Sequence, residues 1–196
     1  MKIVHLIAGI ALSATPSLAE ETTQLDAHEH GVGQLNIAFD ENKIAMELHA
    51  PGADIVGFEY GAKSNADLAA IDAALQTLSD PLGLFLIPEA ASCIVITAHA
   101  KLESEDSDHD DHDEEGHDDH DEEGHDDHDE VPGHTEFHAE YLLECANLTE
   151  ISAITFSYFE IFPNALELEV QVISDKGATA FEIERDVAKL DLRGIF

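Results

Sequence analysis

The chain has 196 residues with 43 Asp and Glu against 8 Lys and Arg, a formal net charge of -35, together with 13 histidines and two cysteines. That charge repels phosphate, so nucleic acid is excluded as a partner and a flat anionic membrane surface is disfavoured.

The chain begins MKIVHLIAGIALSATPSLA, with Lys2 ahead of an apolar stretch from Ile3 to about Leu12 and the small-x-small triplet Ser17-Leu18-Ala19. This reads as a secretory signal peptide, residues 1–19, cleaved after Ala19. A membrane anchor is a poorer reading, because the apolar stretch falls well short of the ~20 residues that span a bilayer. No Cys follows the cleavage point to carry a lipid, and no later segment is long and apolar enough to span, so residues 20–196 are expected to be exported and soluble. Next comes Asp26-Ala27-His28-Glu29-His30. Alternate residues of an extended chain point the same way, so Asp26, His28 and His30 could converge on one ion.

Gln34 to Phe39 and Lys43 to Ala50 alternate polar and apolar residues around Asp40-Glu41-Asn42, which predicts a β-hairpin burying Leu35, Ile37, Phe39, Ile44, Met46 and Leu48. Gln34, Asn36, Glu47 and His49 fall on its other face, where His49 reads as an ordinary hydrogen-bonded surface histidine. Ser64-Asn65-Ala66-Asp67 has N-cap chemistry, and Leu68, Ile71, Leu75 and Leu78 follow at helical spacing until Asp80-Pro81. One amphipathic helix is expected there.

Cys93 to Leu102 and Glu136 to Cys145 are β-rich. An even cysteine count in an exported chain reads as a disulfide, Cys93 to Cys145. Zinc-binding thiolates are the competing reading, but Cys-x-x-Cys spacing is absent. Antiparallel pairing with Cys93 opposite Cys145 would set Val95 against Leu143, Thr97 against Tyr141 and His99 against Ala139. His99, like His49, reads as a surface histidine.

Between these strands, Glu103 to Glu130 contains no apolar residue and repeats the octad HDDHDEEG. Six histidines, His109, His112, His117, His120, His125 and His128, stand among eighteen carboxylates with no Lys or Arg. Acidic runs are ordinarily solvated linkers. Histidine returning at spacings of three and five is not explained by solubility, whereas imidazole nitrogen with carboxylate oxygen suits zinc and its first-row neighbours. Calcium is the weaker rival because it takes oxygen ligands alone. Residues 103–133 are therefore expected to form a disordered, zinc-binding insertion in a hairpin. His134 and His138, flanking Glu136 where the insertion meets the next strand, are anchored and so better placed than the repeat to form a fixed site.

Downstream, Ala153 to Phe159 predicts a strand entering a helical turn, and Leu166 to Ser174 with Ala178 to Glu184 predicts another hairpin around Asp175-Lys176-Gly177. Without signal and insertion about 150 residues remain, one domain by size. Three hairpins and one main helix make an α+β class fold, a single-domain α/β sandwich with a mainly antiparallel sheet.

In order, AHEHGVGQLNIAF, ELHAPGADIVGFEY, LGLFLIPEAASC, HTEFHAEYLLEC and FPNALELEVQVIS resemble the ZrgA family of periplasmic zinc-uptake proteins. The resemblance covers most of residues 20–196 and rests on the His-x-His-Gly start, the Val-Gly-Phe-Glu stretch and the two Cys positions. It implies an α/β sandwich with a His-rich insertion, periplasmic location and a role in zinc acquisition. The chain departs from the family where Tyr60 follows Glu59, a position commonly His in relatives, which puts a site built around Glu59 or Tyr60 in question.

The expected function is thus non-enzymatic: capture of several zinc ions for uptake by a monomer, with an inner-membrane zinc transporter as partner. A passive zinc buffer or store without that partner is the alternative. A metallohydrolase would need three fixed ligands, an open position and a general base, and no His-Glu-x-x-His or comparable motif occurs. A two-lobed metal receptor of a binding-protein-dependent transporter needs a longer chain.

Overall fold

The computed structural model describes residues 29–104 and 134–195. The expected signal peptide, Asp26, His28 and all six histidines of the octads lie outside those residues. In chain order the elements are β1 (Val32–Asp40), β2 (Lys43–Pro51), α1 (Gly52–Ile55), α2 (Asn65–Leu78), α3 (Pro81–Leu84), β3 (Phe85–Leu86), β4 (Cys93–Ser104), β5 (Thr135–Cys145), β6 (Ala153–Phe156), α4 (Tyr158–Ile161), β7 (Glu167–Ser174), β8 (Gly177–Glu184) and β9 (Lys189–Asp191).

Alternation in the sequence builds the large sheet, ordered β4-β5-β2-β1-β7-β8. Leu35, Ile37, Ile44, Met46, Leu48, Phe137, Tyr141, Leu143, Leu168, Val170 and Val172 all point inward and are buried. The second layer is α2 with a small sheet, β3-β6-β9. Phe85 of the small sheet meets Tyr141 of the large one edge-on, ring centroids 6.1 Å apart, and Phe156 beside it at 5.6 Å. This is the expected α+β sandwich, mainly antiparallel with one helix longer than a turn or so. One pairing escaped the reading of hairpins: β1 and β7 run parallel, Val32 beside Glu167 through Ala38 beside Ile173. Strand direction across a long connection has no local signature.

The helix α2 is capped as its sequence predicts. Ser64 Oγ accepts from Asp67 N–H at 3.1 Å, and Asp67 Oδ2 accepts from Ser64 N–H at 2.9 Å, a reciprocal capping box. Ile71, Ala74 and Leu78 form its buried stripe, while Leu68, expected inside, is 53% exposed.

Cys93 pairs opposite Cys145 and is bonded to it. Val95 faces Leu143 as expected, but a bulge at Ile96 then shifts the register, so Thr97 faces Leu142 and His99 faces Glu140 rather than Ala139. The shift follows from packing. A regular ladder would turn Thr97 and His99 toward the core; one extra residue turns Ala98, Ala100 and Leu102 inward instead. The strand also continues through Ser104, with Glu103 opposite Glu136, so it takes in the first two residues of the expected insertion. Residues 105–133 lie outside those described.

The outer face of the large sheet carries polar rows. One runs Lys101, His138, His49, Gln34, Glu169, Glu182 across all six strands.

Candidate metal centre

Two groups of His and Glu stand where β2 ends and β5 begins. The first is His30, Glu59 and His134, whose candidate donor atoms all lie within 4.8 Å of one another. His30 sits in the turn before β1, Glu59 in the segment after α1, and His134 just before β5. His30 Nε2 is 2.9 Å and His134 Nδ1 is 2.8 Å from the same oxygen, Glu59 Oε2. Each nitrogen donates its proton to that oxygen.

Close backbone packing brings these three segments together. A Cβ on Gly52, at the start of α1, would fall 2.4 Å from Thr135 Oγ1 and 2.7 Å from the Phe58 carbonyl oxygen. Glycine there lets the residue before Glu59 and the residue after His134 meet over α1. Gly31 has φ +91°, and a Cβ on it would lie 2.9 Å from Leu166, so the turn presenting His30 also requires glycine.

Burial pushes the Glu59 carboxyl up, but hydrogen bonds from His134 and His30 and their charge outweigh it and hold it below the usual range. Its other oxygen, Oε1, is buried and has no hydrogen-bond partner among the described residues. An orphaned carboxylate oxygen beside two imidazoles fits a site for a cation that either oxygen can ligate. Tetrahedral zinc with bonds of about 2.0–2.1 Å spaces its ligand atoms roughly 3.3 Å apart, so each ring need retreat by only about half an ångström.

The second group is His49, Glu136 and His138. β2 pairs with β5 so that His49 stands opposite His138, with ring centroids 4.1 Å apart. His138 Nε2 lies 2.5 Å from Glu136 Oε2 and 3.2 Å from Glu103 Oε2. His49 Nδ1 is 3.5 Å from Glu136 Oε2, and its Nε2 is 3.3 Å from Glu47 Oε1. The Glu136 hydrogen bond is the largest influence on His49 and, with Glu47, raises its pKa above the ordinary 6.5 against the opposing effect of burial. Lys101, opposite His138, pairs with Glu103.

Of the histidines singled out from sequence, the structure brings His30 and His134 together and places His138 apart from His134, in the other group. Four residues of extended chain span about 13 Å, too far for His134 and His138 to share an ion. His28, His109, His112, His117, His120, His125 and His128 lie outside the described residues. Glu59 and His49 are the two members sequence reasoning undervalued. Glu59 joins His30 and His134 across 29 and 75 positions of chain, with no local pattern. His49 could be read as sharing a face with Glu47, yet its pairing with His138 needs the β2–β5 register. His99 stands opposite Glu140, outside both groups.

The sequence profile of the ZrgA family zinc uptake proteins matches residues 27–192. The chain belongs to that family. No curated protein matches it closely enough to add a relative. The family is one of zinc uptake proteins rather than enzymes, and both groups offer the imidazole nitrogen and carboxylate oxygen donors that suit zinc. Among the described residues no helix is long and apolar enough to cross a membrane.

Proposed function

We propose that the protein is exported by its signal peptide to the periplasm, captures zinc there as a monomer and holds it for uptake by an inner-membrane transporter. The observation that supports this reading is the position of the two groups: His134 directly follows residues 105–133, and Glu103, two positions before that segment, reaches His138. The insertion's histidines would gather ions, drawn in by the field of its carboxylates, and the two groups would hold zinc in defined geometry. The two groups are already assembled by packing and lose little conformational entropy on binding, so ions would pass from repeat to groups downhill.

Native mass spectrometry with zinc titration tests the division. The intact chain should retain more ions than a variant lacking residues 105–130, and that variant should still keep one or two. Loss of all zinc on deletion would refute holding sites on the folded domain. Uptake is tested in the host: removing the protein should slow growth under zinc chelation. Sensitivity to zinc excess with normal growth under chelation would point to a buffer instead.

A further inference from the structure

Asp54, in α1, is 1% exposed. Its Oδ1 accepts from Gly31 N–H at 2.7 Å, while the Gly31 carbonyl accepts from the N–H groups of Leu166 and Glu167, both at 2.8 Å. The residue next to His30 is thus pinned on both sides. Asp54 Oδ2 is buried with no hydrogen-bond partner among the described residues, as are Glu59 Oε1 and the hydroxyl of fully buried Tyr158. A buried carboxylate with one hydrogen bond is costly unless positive charge stands near. Burial pushes the Asp54 carboxyl above its usual range and the negative charge of Glu59 adds to this, with the Gly31 hydrogen bond opposing them. An ion held by His30, His134 and Glu59 would supply the missing compensation: two neutral imidazoles and one carboxylate leave a divalent cation with one unbalanced positive charge, which favours the ionised form of Asp54 and is balanced by its one negative charge.

We propose that Asp54 is the positioning and charge-balancing residue of the His30–Glu59–His134 zinc site, fixing the His30 turn through Gly31 N–H and neutralising the bound ion from outside its ligand set. This rests on the zinc reading of that group. Outer partners of metal ligands commonly change affinity by about 10–100-fold, and Asp54 acts both on ligand position and on charge.

The test is a zinc titration of the full chain followed by NMR of its imidazole nitrogens, which reports His30 and His134 separately from His49 and His138. Asp54→Asn keeps shape and an oxygen for Gly31 N–H but removes the charge. It should weaken zinc binding at His30 and His134 at least tenfold, leave the His49 and His138 response unchanged, and leave the zinc-free melting temperature unchanged or raised. Asp54→Ala, lacking the acceptor too, should weaken that site further. Wild-type affinity at His30 and His134 in Asp54→Asn would overturn the proposal while sparing the site, and so would equal weakening of both groups with a lower melting temperature. No zinc response at His30 and His134 in the wild type would remove the site itself and this inference with it.

Discussion

Removing the disulfide by the double substitution Cys93→Ala, Cys145→Ala should separate stability from zinc binding. The bond closes a loop of 52 positions, and the chain-entropy relation assigns such a loop about 4 kcal/mol at room temperature. With a urea slope of about 2 kcal/mol/M, the unfolding midpoint should fall by about 2 M. Cys145 is fully buried, so alanine is preferred to serine, whose hydroxyl would need a partner. The bond sits at the far end of β4 and β5 from the two His–Glu groups. Ser104 lies eleven positions after Cys93, about 35 Å along the strand. Between those ends the two strands keep their ladder and inward residues. Urea unfolding followed by circular dichroism, beside wild type with and without reductant, measures the first quantity; the site-resolved zinc titration measures the second. A midpoint shift equivalent to less than about 1 kcal/mol would refute the loop-closure account. Loss of zinc at His30 and His134 in folded protein would refute the mechanical independence of the two ends.

Glu59→Gln should abolish the zinc response of His30 and His134, more than the ~10–100-fold loss typical of an outer partner, without affecting His49 and His138; an unchanged titration would remove Glu59 from the site. The His49 ring is favoured as a cation by Glu136, so its contribution to zinc-free stability is complete below its unfolded pKa and disappears as pH rises through the higher folded value. Zinc needs the neutral ring, so binding at His49 should strengthen over that same rise; equal affinity at about pH 6 and about pH 8 would contradict it. Ser64→Ala should cost about 1 kcal/mol by removing the α2 cap and leave zinc binding intact, read by thermal melting and the same titration.

Much of the fold is local in origin and therefore visible in the sequence. Period-two alternation sets which residues of β1, β2 and β7 face inward, and Ser64 with Asp67 starts α2, because each signal acts within a few residues. The Ile96 bulge was not visible: whether Ala98 or His99 turns inward depends on what β5 and the second layer offer β4. The exposure of Leu68 likewise depends on how α2 lies on its neighbours.

The composition by itself pointed toward cations, since a repeat of imidazole and carboxylate at -35 net charge has few other uses, and its motifs pointed to the family whose profile matches residues 27–192. Which residues meet was decided by the tertiary structure alone. His30, Glu59 and His134 come from three segments joined by the close contact at Gly52, and His49 meets His138 through strand register. Side chains distant in sequence can share an ion only after packing has already brought their backbones together.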